Sequence, residues 1–262
     1  MKRTATIAAT LTCMVIGPAS VWADDDHGAN NSCSTLPSQA ALQIALKKAV
    51  ADESSGLDFQ MWATIVDRDG IVCAVAFSGA DRGSQWPGSR VISAQKANTA
   101  NSFSLSNPNP SAVFGSGLAL STANLYAAVQ PGGSLFGLQE SNPVDTGVAY
   151  KGPSSNFGKA NDPMVGEKIG GVNVFGGGLA LYASHGKVVG AVGVSGDTSC
   201  ADHNIGWRVR AYLGLDHLKG VGGVSGDTDR PDNIILMAVP TGFGHPHCIN
   251  DVPVNTLPAV QP

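Results

Sequence analysis

Apolar and polar positions follow two different periods along this chain. Leu42, Ile44, Ala45, Leu46, Ala49 and Val50 recur at helical spacing behind Leu36-Pro37-Ser38, so a helix is expected up to Ser54-Ser55-Gly56, with Pro37 suited to its first turn. Phe59 to Val66 and Ile71 to Phe77 are short and apolar nearly throughout. Asp67-Arg68-Asp69-Gly70 between them reads as a hairpin turn, with Gly70 free to take a positive φ. Strands apolar on both faces predict a sheet covered on both sides. After the loop Gly79 to Ser84, Ser89 is expected to cap a helix. Val91, Ala94, Ala97 and Ala100 give that helix a narrow face of small residues, and Pro108 and Pro110 end it.

Residues 104–172 are rich in Pro, Gly, Asn and Ser and read as a long insertion, in which Ser121 caps a short helix over Thr122 to Val129. A loop of that length is usually functional or wraps a neighbour. Regular patterning resumes with the strand Leu179 to Ala183, the turn Ser184 to Lys187 and the strand Val188 to Val194. A helix follows from Cys200 to Leu215, and Ile234 to Val239 reads as a further strand. The order helix, hairpin, helix, insertion, hairpin, helix describes an α+β domain, an antiparallel sheet with helices on it. That domain is expected over residues 36–240, after an acidic disordered stretch at 24–35 and before a tail at 241–262.

The run Gly190-Ala191-Val192-Gly193-Val194-Ser195-Gly196-Asp197 carries a β-branched strand into a small-residue turn ahead of a helix. Backbone N–H groups at such a junction favour an anion, although a purely structural strand-to-helix turn has the same sequence. The run Gly193 to Thr198 recurs as Gly223 to Thr228 without matching surroundings, as a repeated turn and not a duplicated domain.

Lys2 and Arg3, the apolar run Thr4 to Val21 and the small residues of Val21-Trp22-Ala23 predict a secretory signal cleaved after Ala23. Cleavage there leaves 14 basic against 20 acidic side chains, a net charge of −6. That balance argues against non-specific nucleic-acid binding, which rests on neutralising phosphates with Lys and Arg. Cys33, Cys73, Cys200 and Cys248 then remain, and an exported chain with four cysteines is expected to form disulfides. Three full pairings exist. Cys33–Cys248 is favoured because it would restrain both terminal segments, and Cys73 then reads as a buried thiol. His245-Pro246-His247-Cys248 offers the alternative of a metal site, although zinc ligands are usually spaced further apart.

Three blocks together resemble the GlcG/HbpS-like family of haem- and corrinoid-associated proteins. They are the hairpin Ala63 to Gly70, the helix Ser93-Ala94-Gln95-Lys96-Ala97-Asn98-Thr99-Ala100, and Gly177-Gly178-Leu179 through Gly193-Val194-Ser195-Gly196 with Asp202 beyond. The resemblance implies a profilin-like fold, with a five-stranded antiparallel sheet between helical layers, and assembly into homo-oligomers. It also implies haem or a related tetrapyrrole as ligand, serving haem capture, storage or redox sensing. The insertion and the segment after residue 216 depart from the compact family pattern.

On that reading Lys96 either meets a propionate or snorkels at the surface, and Gly193, Ser195 and Gly196 form the ligand-facing turn. His203, His245 and His247 are the candidate iron ligands. A different class is an exported enzyme acting on a small organic acid, with Lys96, Asp202 and His203 supplying acid–base chemistry. A third is an accessory subunit of a periplasmic dehydrogenase. Gly193 to Asp197 does not match the Gly-x-Ser-x-Gly nucleophile elbow, so no Ser-His-Asp hydrolase is read from it. Neither a phosphate-binding loop nor a Cys-x-x-Cys-His haem attachment is present.

Overall fold

The computed structural model describes residues 32–108 and 115–262; the expected signal segment and most of the acidic stretch after it lie outside the described residues. From residue 31 onward the chain is one compact unit. Helix α1 (Gln39–Ala51) begins where Ser38 accepts the Ala41 N–H, and it buries Leu42, Ala45, Leu46 and Ala49. Strands β1 (Trp62–Asp67) and β2 (Val72–Phe77) form the expected hairpin, with Gly70 at φ 80°. Helix α2 (Ser89–Phe103) is capped by Gly88, and Ser89 is its first residue. Strands β3 (Gly178–Ala183) and β4 (Lys187–Ser195) turn at His185 and Gly186, both at positive φ, and helix α4 (Ser199–Tyr212) follows.

Among the described residues the antiparallel sheet has the order β2-β1-β4-β3, four strands where five were expected. Of Ile234 to Val239 only β5 (Leu236–Met237) is extended, in a short parallel pair with β6 (His245–Pro246). Ile234 packs with Ala123 and Cys200, away from the sheet edge, and Pro240 follows directly. As β1 predicts by being buried at every position, both faces of the sheet are covered. One core joins the sheet to α1 and α4, and a second joins it to α2.

The insertion is more than a surface loop. Its Ala149, Met164 and Ile169 complete the second core, and a short helix α3 (Thr146–Ala149) interrupts it. Arg90 of α2 places Nε 2.9 Å from Asp162 Oδ2, pairs also with Oδ1, and donates to the Ala149 carbonyl; both side chains are buried. The expected helix Thr122 to Val129 is two 3-10 turns, with Ser121 and Asn124 in a capping box.

The cysteines pair as Cys33–Cys73 and Cys200–Cys248, which overturns Cys33–Cys248 and the free buried Cys73. The fold brings each pair within reach: Cys73 on β2 has its Cα 5.3 Å from that of Cys33, and Cys248, just after β6, has its Cα 6.0 Å from that of Cys200 in the first turn of α4. The segment 241–262, expected as a tail, packs onto the body. Leu257 and Val260 enter the first core, and Trp207 Nε1 donates to the Pro258 carbonyl at 3.0 Å. Gly223 to Thr228 lies in an irregular turn, with neither strand nor helix around it.

Candidate functional site

Two glycines bring α2 onto the sheet. Gly178 and Gly193 face each other across β3 and β4, and a Cβ on either would land inside an α2 backbone carbonyl, that of Lys96 or Ser93 respectively. The helix therefore touches the strands main chain to main chain. This contact carries Lys96 to the end of β4. Lys96 Nζ lies 2.7 Å from Asp202 Oδ2 and 3.2 Å from the Val194 carbonyl, and the lysine side chain is 1% exposed. Lys96 is thus neither a surface lysine nor a free cation.

Burial lowers the Lys96 pKa, with Asp202 opposing that change. Burial raises Asp202 to about 6, against the pull of Lys96 and of the Asp197 N–H, which donates to Asp202 Oδ1 at 2.9 Å. Asp202 takes the Asp197 N–H of the turn after β4, and the Asp197 carboxylate ties that turn to the segment before β1. Asp197 accepts from Leu57 N at 2.9 Å and Phe59 N at 3.0 Å, and it also takes the Thr198 N–H. A Cβ on Gly196 would meet the Gln60 carbonyl and Met61. In the expected ligand-facing turn, Gly193 and Gly196 are positions of close backbone packing.

A cavity of about 340 Å³ opens beside this turn, between the start of α2 and the start of α4. Trp86, Ile92 and Phe175 form its apolar walls, Lys96 and Asp202 lie on its floor, and Ser195 and Ser199 complete one side. Trp86 is 49% exposed and Phe175 47%, so two aromatic rings stand at the mouth, with Phe59 edge-on to Trp86 at 5.2 Å. Of the residues expected here, Lys96, Ser195 and Asp202 meet at the cavity. Trp86, Phe175 and Ser199 were missed; a lone aromatic in a loop carries no periodic signal.

The histidines do not converge. His203 is fully buried and absent from the lining, with Nε2 3.1 Å from both the Ile234 nitrogen and Asn233 Oδ1. Burial lowers its pKa to about 4, so it stays neutral. His247 is exposed and meets Asp251 at 2.6 Å. His245 is buried, with Nε2 2.7 Å from Ser199 Oγ. The three candidate iron ligands thus have separate partners and do not lie together. Cys200, His245 and Cys248 do cluster, but both sulfurs are spent in the disulfide. The acid–base trio Lys96, Asp202 and His203 is likewise reduced to its first two members.

No helix among the described residues is long and apolar enough to cross a membrane. No curated protein matches the chain. Solved structures that resemble it include Klebsiella pneumoniae protein ORFY, at 23% identity and TM-score 0.42, over 68% of this chain and 90% of that one. A haem complex of PduOC aligns at 21% identity and TM-score 0.42, over 66% and 89%. HbpS aligns at 18% identity and TM-score 0.41, over 68% and 91%. The family model described as haem degrading protein HbpS-like matches residues 37–209. That match takes in both hairpins, α2 and the first turns of α4, and on it the chain belongs to the HbpS-like family.

Proposed function

We propose that this protein is exported and holds haem non-covalently in the cavity between α2 and α4, for capture or storage. The observation that carries the reading is the pair of half-exposed rings, Trp86 and Phe175, over an apolar wall at Ile92. Such a slot suits a flat, largely apolar ligand, and its volume falls within the ~300–1,000 Å³ of small-molecule sites. The two disulfides agree with an oxidising compartment.

The fit is to the macrocycle, not to the metal. Haem iron is usually held by His, Cys, Met or Tyr, and among the described residues the cavity lining contains none of these. With Lys96 committed to Asp202, the floor offers no free cation to a propionate. Contacts to the ring faces would then supply most of the affinity, and the ligand would exchange readily.

Titration of haemin into the purified, disulfide-bonded protein should give a saturable Soret change at one haem per chain. Trp86→Ala with Phe175→Ala should weaken binding at least ~10-fold, since each aromatic contact contributes about 1 kcal/mol. A titration that never saturates, or an affinity indifferent to both substitutions, would reject the proposal.

A further inference from the structure

Ser199, the first residue of α4, has the surroundings of an activated hydroxyl. Its Oγ lies 2.7 Å from His245 Nε2, and His245 Nδ1 lies 2.7 Å from the Pro246 carbonyl. A carbonyl only accepts, so Nδ1 carries the ring proton. Nε2 is then a bare lone pair, to which the Ser199 O–H donates. The Gly176 N–H donates to the same oxygen at 2.6 Å, which fixes the serine rotamer and favours negative charge on Oγ.

The imidazole is held from several directions. Tyr126 lies against it at 4.8 Å, the His245 backbone N–H donates to the Ile235 carbonyl at 2.8 Å, and the Cys200–Cys248 disulfide ties this segment to α4. Ser89, Ser195 and Ser199 all line the cavity, yet among the described residues Ser199 is the one of the three bonded to an imidazole.

We infer that Ser199 and His245 form a nucleophile–base dyad that accepts an acyl group from small apolar or aryl esters bound in the cavity. The Ser199 oxygen forms a bond to the ester carbonyl carbon while its proton passes to His245 Nε2. The bond from that carbon to the alcohol oxygen breaks, and the departing alcohol takes the proton from Nε2. Water then attacks the acyl-serine, gives a proton to His245, and the carboxylic acid leaves as Ser199 regains its hydrogen. The dipole of the 14-residue helix α4 favours the developing alkoxide at Ser199. Trp86 and Phe175 would flank the apolar part of the ester.

The inference does not depend on haem and is tested on haem-free, disulfide-bonded protein. A fluorophosphonate probe reports the first step: Oγ bonds to phosphorus, fluoride leaves, and the proton passes to His245. Intact-mass analysis should show one adduct per folded chain, mapped by peptide sequencing to Ser199. Ser199→Ala should abolish it, and His245→Gln should slow it on the order of 100-fold. Hydrolysis of p-nitrophenyl acetate should fall in parallel in both variants. No adduct on the wild-type protein, an adduct mapped elsewhere, or equal labelling after denaturation would overturn the inference. So would His245→Gln labelling at the wild-type rate.

Discussion

Replacing Lys96 by Met would leave the Asp202 carboxyl buried without its cation, and the pH dependence of stability should reveal it. In the intact protein burial raises Asp202 from 3.8 to about 6, so the folded state binds its proton more tightly than the unfolded chain. Stability from this group is complete below the unfolded pKa, is lost as pH rises toward 6, and then levels off. Lys96 is the largest influence holding that value down. Without it the carboxyl keeps its proton further, and stability continues to fall at about 1.4 kcal/mol per pH unit. Between about pH 6 and about pH 7.5 the variant should therefore lose roughly 2 kcal/mol more than the wild type. The total deficit near neutrality should approach the ~3–5 kcal/mol seen when one partner of a buried pair is removed. Urea midpoints at several pH values measure this, with Lys96→Met/Asp202→Asn as the control that removes both charges. The reasoning is refuted by a deficit that does not change with pH, or by a double variant no more stable than the single one.

His203 should act in the opposite sense. Its folded pKa of about 4 lies below the usual 6.5, so stability is lost as pH falls through that window, by about 3 kcal/mol in all. His203→Gln should remove that acid loss, and parallel unfolding curves for variant and wild type at about pH 7 and about pH 4.5 would exclude it. Cys200→Ser with Cys248→Ser opens a loop defined by a separation of 48 residues, for which chain entropy predicts a loss of about 4 kcal/mol. Calorimetry on the double variant measures it, and a loss below about 1 kcal/mol would count against the entropic account. Gly193→Ala should cost about 3 kcal/mol or more, because the added methyl falls inside the Ser93 carbonyl; unchanged thermal stability would show that α2 is not seated as described.

The elements that could be read from the chain are those whose signal is local. Both hairpins follow from short apolar runs around polar or glycine-containing turns, and α1, α2 and α4 lie within a few residues of their expected spans. What escaped depends on partners distant in sequence. Lys96 meets Asp202 106 residues away, Arg90 meets Asp162 72 away, and Ser199 meets His245 46 away. None of those spacings is a helical or strand period, so no pattern announces them. Gly193 and Gly196 stand out in the sequence, but a glycine that admits a ligand and one that admits a neighbouring backbone look alike there. Ile234 to Val239 has strand composition, yet Ile234 found its apolar contacts around Ala123, off the main sheet.

The seating of α2 on Gly178 and Gly193 bears on how a guest molecule comes and goes. At Gly178 and Gly193 the helix carbonyls rest directly on strand backbone, and these two rigid contacts keep α2 from sliding over the apolar side chains packed beneath the rest of it. The wall that it supplies is fixed, and the soft parts of the cleft are the two half-exposed rings at the rim. If the cavity takes the proposed ligand, admission would be a matter of Trp86 and Phe175 swinging between rotamers, on the picosecond-to-nanosecond scale of exposed side chains. A doorway of that kind leaves the rest of the fold undisturbed, so a bound and an empty molecule should share one backbone.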